Sequence, residues 1–515
     1  MARTPSTYVD YRVSVAVVGT VLKYIGVTPA FPLALAFAYG EDPLPFVATS
    51  VVMIGGGALL ERVRGNGQLG NREAFLLVSL AWLVVPLAGT LPYLVAGTGT
   101  VADPVNAFFE SMSGFTTTGA TVLGDISVET HGHAMLMWRQ LTQWLGGMGI
   151  LVLMVAILPE LSVGGAQVIN QEAPGLSLEK LTPRIQETAR ALWGIYAGIT
   201  VLAVVVYYGL HLVGVAPNMD LYNAVAHALT TLPTGGFSPE ARSIEAFRPI
   251  VQWAIMPFML LAGTNFALFW YVLQGEPRRL IDNAEFRAYL LAVAGFGAVM
   301  SVLLYLGVGL AETPANVDAI PGHAEDSLRQ GLFQVTSIVT TTGYASMDVN
   351  AWDDSARTIL LFTYFLGGSA GSAAGSIKIV RWVLVKTAIS RSLFTSIHPE
   401  AVHPVRLGRR VVNDDTVRDV FVFVVLFLAL FALSTVLLYL DSFRAPGVSM
   451  SGHEAMSVAI ATLGNIGPGF GVVGPMNSFL PFSDAAKLYM AFLMWIGRLE
   501  VLSVLVILTP SFWRR

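Results

Sequence analysis

Of 515 residues, 54% are hydrophobic and 12% charged, with a mean hydropathy of +0.64, whereas a soluble domain carries about 25% charged residues; the composition is that of an integral membrane protein. The net charge of -4, with Lys and Arg scattered or set between apolar runs, leaves no basic stripe and argues against nucleic acid as a partner. The absence of cysteine excludes disulfides, thiolate zinc sites and cysteine nucleophiles, and the eight histidines show neither HExxH spacing nor close pairing with carboxylates beyond His131 and His133, to which no metal role is assigned.

In chain order, apolar runs long enough to cross roughly 30 Å of hydrocarbon as helices are predicted at 12–39, 44–61, 73–97, 134–158, 191–214, 249–273, 287–310, 356–388, 419–440 and 485–508, ten crossings in all. The first lacks the small-residue cleavage site of a signal peptide, so it is read as a retained membrane helix. Its Lys23 is expected to snorkel or to pair.

Between the third and fourth, fifth and sixth, seventh and eighth, and ninth and tenth runs lies an insert of another kind, a short apolar stretch followed by a Thr/Gly/Pro-rich turn. The four are NAFFESMSGFTTTGATVL (106–123), YNAVAHALTTLPTGGFSPE (222–240), QGLFQVTSIVTTTGYASMD (330–348) and EAMSVAIATLGNIGPGFGVV (454–473). Aligned on one glycine, Gly119, Gly235, Gly343 and Gly467 share a column, with Phe108, Ala224, Leu332 and Met456 eleven residues upstream. The spacings of 116, 108 and 124 residues are too long for a solenoid unit. They read as helix, short re-entrant helix, loop, helix, four times in tandem over 69–160, 161–275, 276–398 and 399–515, after a helix pair in 1–68.

Basic residues cluster on one side of this pattern: Arg62, Arg64 and Arg72, then Lys180, Arg184 and Arg190, then Arg278, Arg279 and Arg287, then a run from Arg381 to Arg418 that includes Arg409. The positive-inside rule puts them, and the N-terminus, in the cytoplasm of a multi-pass protein of the cell membrane. The inserts then enter from outside, as does the acidic stretch with Glu312, Asp318, Glu325 and Asp326.

Non-helical backbone at membrane depth is tolerated only where it is buried in protein or lines a wet cavity. Four such segments around one axis would bring carbonyls together that can replace the water shell of a dehydrated cation. TTTGY resembles the TVGYG type of loop, and glycine makes its conformation cheap. The expected coordinating residues are Thr116, Thr117, Thr118 and Gly119; Leu232, Pro233, Thr234 and Gly235; Thr340, Thr341, Thr342 and Gly343; and Gly464, Asn465, Ile466 and Gly467. For any one insert an ordinary extracellular turn is the simpler reading; four copies with the same setting argue against it.

The chain resembles the Trk/Ktr/HKT superfamily of potassium transporters, and within it the TrkH type. The resemblance covers nearly the whole chain and rests on WRQLTQWLGGMGILVLMVAILP (138–159), HPEAVHPVRLGRRVV (398–412), GNIGPG (464–469) and WIGRLE (495–500). It implies an all-α membrane protein with four M1-P-M2 units around a pseudo-fourfold pore and two additional N-terminal helices. It further implies a potassium uptake subunit that binds K⁺ and membrane lipid, forms a homodimer, and seats cytosolic TrkA-type nucleotide-binding regulatory subunits. No cofactor is expected in this chain and no enzymatic activity. In this superfamily a serine at the first filter glycine accompanies sodium passage; Gly119 at that position favours K⁺ over the alternative of a Na⁺-permeable or ion-coupled symporter.

GGSAGSAAGSIK (367–378) interrupts the eighth run with small residues, so that helix is expected to be discontinuous. The resemblance places an obstructing, gating loop here, with Gly367, Gly368, Gly371, Gly375 and Lys378 matching it, and puts Arg498 in the pore as a barrier to the cation. The plainer readings are a GxxxG helix contact and, for Arg498, a structural pair with a carboxylate such as Glu500, which at a spacing of two cannot share its helix face. Gly367-Gly368-Ser369-Ala370-Gly371 is formally a GxSxG elbow, but no strand precedes it, which argues against a hydrolase. Glu110 and Glu454 are read either as vestibule acids or, for Glu454, as a helix cap.

Overall fold

The computed structural model describes residues 9–63, 70–156, 181–312, 320–408, 410–444 and 448–513. Arg64, Lys180, Arg409 and Asp318, and the side chain of Arg184, all of which enter the charge argument, lie outside them.

Among the described residues six helices are long and apolar enough to cross a membrane: Tyr11–Tyr39, Leu44–Glu61, Arg72–Ala96, Glu187–Leu212, Ala284–Tyr305 and Asp414–Ser442. Two more candidates are bent pairs, Pro249–Ala262 with Phe266–Leu273 at 96° and Asp484–Arg498 with Leu502–Leu508 at 114°. The two remaining predicted runs, the fourth and the eighth, behave differently. The described part of the run at 134–158 lies in Val128–Ala156, a helix kinked at Gly132 that buries Arg139, Gln140 and Gln143, and 157–158 lie outside the described residues. The run at 356–388 is two helices, Asp354–Thr363 and Ile379–Ile397, separated by the small-residue stretch; the expected discontinuity is present and the helix-contact reading of its glycines is not.

Asp414–Ser442 shows why these helices need lipid. Asn413 caps it by accepting from the Asp415 amide, and its hydropathy is the highest of the six at 3.0, yet only 28% of its apolar window is buried in protein. Val422, Val425, Leu433 and Val436 stand exposed, which in water would be a large uncompensated apolar patch.

Four short helices are of the opposite kind. Pro104–Phe115, Leu221–Thr231, Ala324–Val339 and Gly452–Leu463 have 12, 11, 16 and 12 residues, too few to span a bilayer, and their second halves are buried apart from the half-buried Leu229 and Leu332. Their starts are fixed locally: Asp103 and Asp220 accept from the amides of Asn106 and Asn223, and Ser451 with Glu454 forms a reciprocal capping box. The cap reading of Glu454 is therefore the correct one. Each short helix stands between long ones in the chain order, and the polar residues of its second half are enclosed by protein.

The N-terminal pair packs by glycine. A Cβ on Gly57 would lie 2.5 Å from the Gly19 carbonyl oxygen, so the helices cross in backbone contact. Lys23 pairs with Glu61 at 2.7 Å, which settles its expectation as pairing. Besides isolated bridges between Leu310 and Trp352 and between Gly367 and Lys378, the strand pairing among the described residues is a hairpin in which Arg406 faces Val411 and Leu407 faces Arg410.

Candidate functional site: a ring of four loops

Each short helix runs into the same backbone conformation. The amides of Thr117, Thr234, Thr341 and Asn465 donate to carbonyls three residues back at 2.9, 3.0, 2.9 and 3.3 Å. The next amides, of Thr118, Gly235, Thr342 and Ile466, donate five residues back, at 2.8, 2.9, 2.8 and 2.9 Å. Thr117, Thr234, Thr341 and Asn465 have φ of 51°, 57°, 55° and 52°, and two residues on Gly119, Gly236, Gly343 and Gly467 have φ of 84°, 75°, 77° and 105°. Left-handed backbone costs a β-branched residue about 1–2 kcal/mol, so three threonines hold it only because their surroundings fix it.

These angles correct the sequence alignment in one loop. The second loop is Pro233, Thr234, Gly235 and Gly236, and the column glycine is Gly236, not Gly235. Leu232 caps the helix end: its φ and ψ are still helical at -68° and -35°, its amide bonds to the Ala228 carbonyl, and its side chain is buried in an apolar cluster. The TGG run offers two glycines, and only the second satisfies the spacing of left-handed residues.

The four loops close on one another in chain order. A Cβ added to Gly119 would lie 2.2 Å from the Gly235 oxygen; at Gly236, 1.9 Å from that of Thr342; at Gly343, 2.0 Å from that of Ile466; and at Gly467, 2.7 Å from that of Thr118. In each case the carbonyl preceding one loop's glycine rests against the glycine of the neighbour, and the fourth contact returns to the first loop. A carbonyl cannot retreat as a flexible side chain can, so all four positions require glycine.

Side chains brace this ring, among them Tyr344, Gln143 and Arg139, which the sequence reading missed. Tyr344 reaches from the third loop to the second, its hydroxyl donating to the His227 carbonyl at 3.0 Å. Asn465 Nδ2 donates to Thr118 Oγ1 at 3.0 Å, joining the fourth loop to the first. Gln143 Nε2 donates to the Gly235 carbonyl at 2.7 Å, and Gln143 Oε1 accepts from the Phe237 amide. Arg139 Nε contacts Glu110 Oε1 at 2.6 Å with both side chains buried, and Arg139 also donates to the Ser238 carbonyl. Glu110 holds Thr121 Oγ1 and the Val122 amide, so it braces the ring from behind rather than acting as a free acid at the mouth. Buried polar residues on an apolar helix were the available signal for Arg139 and Gln143.

On one side of the ring a cavity is lined by Gly119, Gly236 and Gly343 together with Arg139, Glu240 and Asn477. On the other side sits the 364–378 segment. The Gly375 amide donates to Thr341 Oγ1 at 2.7 Å, and a Cβ there would lie 2.3 Å from the Gly464 oxygen. The segment closes on itself, with the Gly367 amide on the Ile377 carbonyl and Lys378 Nζ on the Ala374 carbonyl. Gly368 packs on Gly263 and Gly371, at φ +76°, packs on Asn265, where the Pro249–Leu273 pair is bent. Arg498 is buried and donates to the Ala373 carbonyl at 2.7 Å; Nε and its other terminal nitrogen have no partner among the described residues. The carboxylate considered for it, Glu500, pairs instead with Arg381 at 2.5 Å. Ser369 lies in this coil with its amide on the Gly263 carbonyl, without a strand before it, which removes the elbow geometry a hydrolase would need.

A family model described as TrkH, a cation transport protein, matches residues 46–514. The Trk system potassium uptake protein TrkH of Vibrio parahaemolyticus is 35% identical over 98% of this chain and 100% of its own. The protein of the same name from Escherichia coli is 34% identical over 98% and 99%, and TrkG of that organism 31% identical over 94% of each. The crystal structure of the potassium transporter TrkH from Vibrio parahaemolyticus superposes with a TM-score of 0.83 at 32% identity, covering 98% of this chain and 100% of that one.

Proposed function

The chain belongs to the TrkH family of cation transport proteins, and we propose that it is the membrane subunit of a potassium uptake system that conducts K⁺ through a filter of backbone carbonyls. In this reading the filter comprises Thr116–Gly119, Pro233–Gly236, Thr340–Gly343 and Gly464–Gly467, each on the loop of one M1-P-M2 unit around a pseudo-fourfold axis. The observation that carries it is the closed cycle of carbonyl-to-glycine approaches. Four peptide oxygens held by a rigid brace can stand in for hydration water without the protein reorganising when an ion arrives.

The same reading makes 364–378 the gate. Its contacts with Thr341 and Gly464 support a position across the path of an ion leaving the ring, and Arg498, buried against the same segment, supports a positive charge beside that path. A fixed cation there opposes a permeating cation, and a shift of the Ala373 contact changes both obstruction and field together. The basic clusters make that side cytoplasmic, with the N-terminus, and offer a face to TrkA-type nucleotide-binding subunits; the protein assembles as a homodimer in the lipid bilayer.

The purified protein in liposomes tests this directly. Reversal potentials in mixed K⁺ and Na⁺ should follow the K⁺ gradient; a reversal at the Na⁺ potential, or flux requiring a second ion gradient, would favour a Na⁺-permeable or ion-coupled symporter instead.

A further inference from the structure

The 364–378 segment is held by one carboxylate that neither the ring nor Arg498 explains. Glu285 lies in the first turn of Ala284–Tyr305, buried, and its Oε1 accepts from the Ala370 amide at 2.6 Å across 85 residues of sequence. A glutamate at a helix start ordinarily serves that helix, but Asn283 already caps it by accepting from the Phe286 amide at 2.9 Å. Glu285 also reaches outward, to the Ala370 amide. The Ala370 amide lies at the middle of the segment, between the Ser369 amide on Gly263 and the Gly371 carbonyl, which accepts from the Phe266 amide at 3.1 Å.

The residue before Glu285 is also touched from outside the helix. A Cβ on Gly408, at the tip of the Arg406–Val411 hairpin, would sit 3.4 Å from Ala284 Cβ. The hairpin packs inward through Leu407 and the flanking Val405 and Val412, which are buried, while Arg406 and Val411 are exposed. The hairpin tip therefore lies beside the residue that precedes the carboxylate.

We propose that Glu285 is a positioning residue for the intramembrane segment: it holds the Ala370 amide in the obstructing arrangement and links that arrangement to the 406–411 hairpin. This rests on reading 364–378 as the gate. A charge-assisted hydrogen bond of this kind shifts a two-state equilibrium by about 10- to 100-fold, which is the expected gain in open fraction when it is removed.

The test uses the full chain in liposomes without any partner. Glu285→Ala should raise rubidium flux at least about tenfold, with Glu285→Gln, which keeps an acceptor oxygen, between it and the parent. The K⁺/Na⁺ reversal potential should not move, since the ring is untouched; a merely structural defect would lower flux and blur selectivity together. Because the chain has no cysteine, Ala370→Cys supplies a single thiol whose modification rate reads the segment without reference to conduction. Glu285→Gln and Glu285→Ala should speed its modification. If neither flux nor modification changes, the proposal is wrong. If modification speeds while no variant or parent conducts, the positioning role stands and the gate reading falls.

Discussion

Arg139 Nε lies 2.6 Å from Glu110 Oε1 in a setting where neither side chain reaches solvent, and the pair joins the shoulders of the first two loops. Removing one partner of a buried pair costs about 3–5 kcal/mol because the other charge is left behind, whereas replacing both by apolar groups is often neutral. Glu110→Leu and Arg139→Met singly should lower thermal stability strongly in detergent. The double variant should recover most of that stability yet pass Na⁺ more readily, because the Val122 and Ser238 contacts are lost in either case. Melting curves and reversal potentials on the three variants separate the two effects.

The register of the second loop gives a sharp comparison of neighbouring glycines. A methyl at Gly236 meets the Thr342 backbone oxygen at 1.9 Å in left-handed backbone, and one at Gly235 meets the end of the Gln143 side chain at 2.3 Å. Gly236→Ala should cut rubidium flux by more than about tenfold. Gly235→Ala combined with Gln143→Ala should retain a measurable part of it. The opposite order would restore the alignment that counts Leu232 as a loop residue.

Arg498 is a buried cation with one carbonyl partner given to it and two nitrogens without any among the described residues. Such a group is retained at a cost to stability. Arg498→Met is expected to leave the melting temperature unchanged or raise it, while increasing flux about tenfold or more through loss of the barrier. A destabilised, non-conducting Arg498→Met protein would mark the residue as structural.

The N-terminal pair contributes no residue to the ring, and its backbone contact gives a control. Gly57→Val would press its side chain on the Gly19 oxygen and the Lys23 amide, at 2.5 and 2.8 Å from Cβ. Overpacking of this kind costs about 1–3 kcal/mol. The variant should melt lower with the parent's reversal potential.

Much of this arrangement was legible in the sequence because lipid enforces a simple rule: a polar, glycine-rich interruption of an oily chain must be enclosed by protein, and four of them share a reason. The interruption of the eighth run at Gly367–Lys378 could be read from its small residues alone. What was not legible was anything set by contacts across the fold. Gly235 and Gly236 are indistinguishable until the left-handed Thr234 fixes the count. Glu110 looks like a mouth acid until Arg139, 29 residues away, is seen to neutralise it. Glu500 was weighed as a partner for Arg498, and its choice of Arg381 depends on the sharp bend after Arg498, where Glu500 and Val501 take φ of 57° and 56°. The hairpin at Arg406–Val411 is too short to announce itself by alternation.

The central claim is that peptide oxygens of four loops together hold an ion stripped of water. Diffraction at the rubidium absorption edge from crystals of the protein grown in rubidium tests it most directly. Anomalous peaks are expected on the axis among the carbonyl oxygens of Thr118, Gly235, Thr342 and Ile466, and they should vanish in Gly343→Ala. Rubidium bound only at side-chain carboxylates away from that axis, with the axis empty in a protein that conducts, would contradict the account.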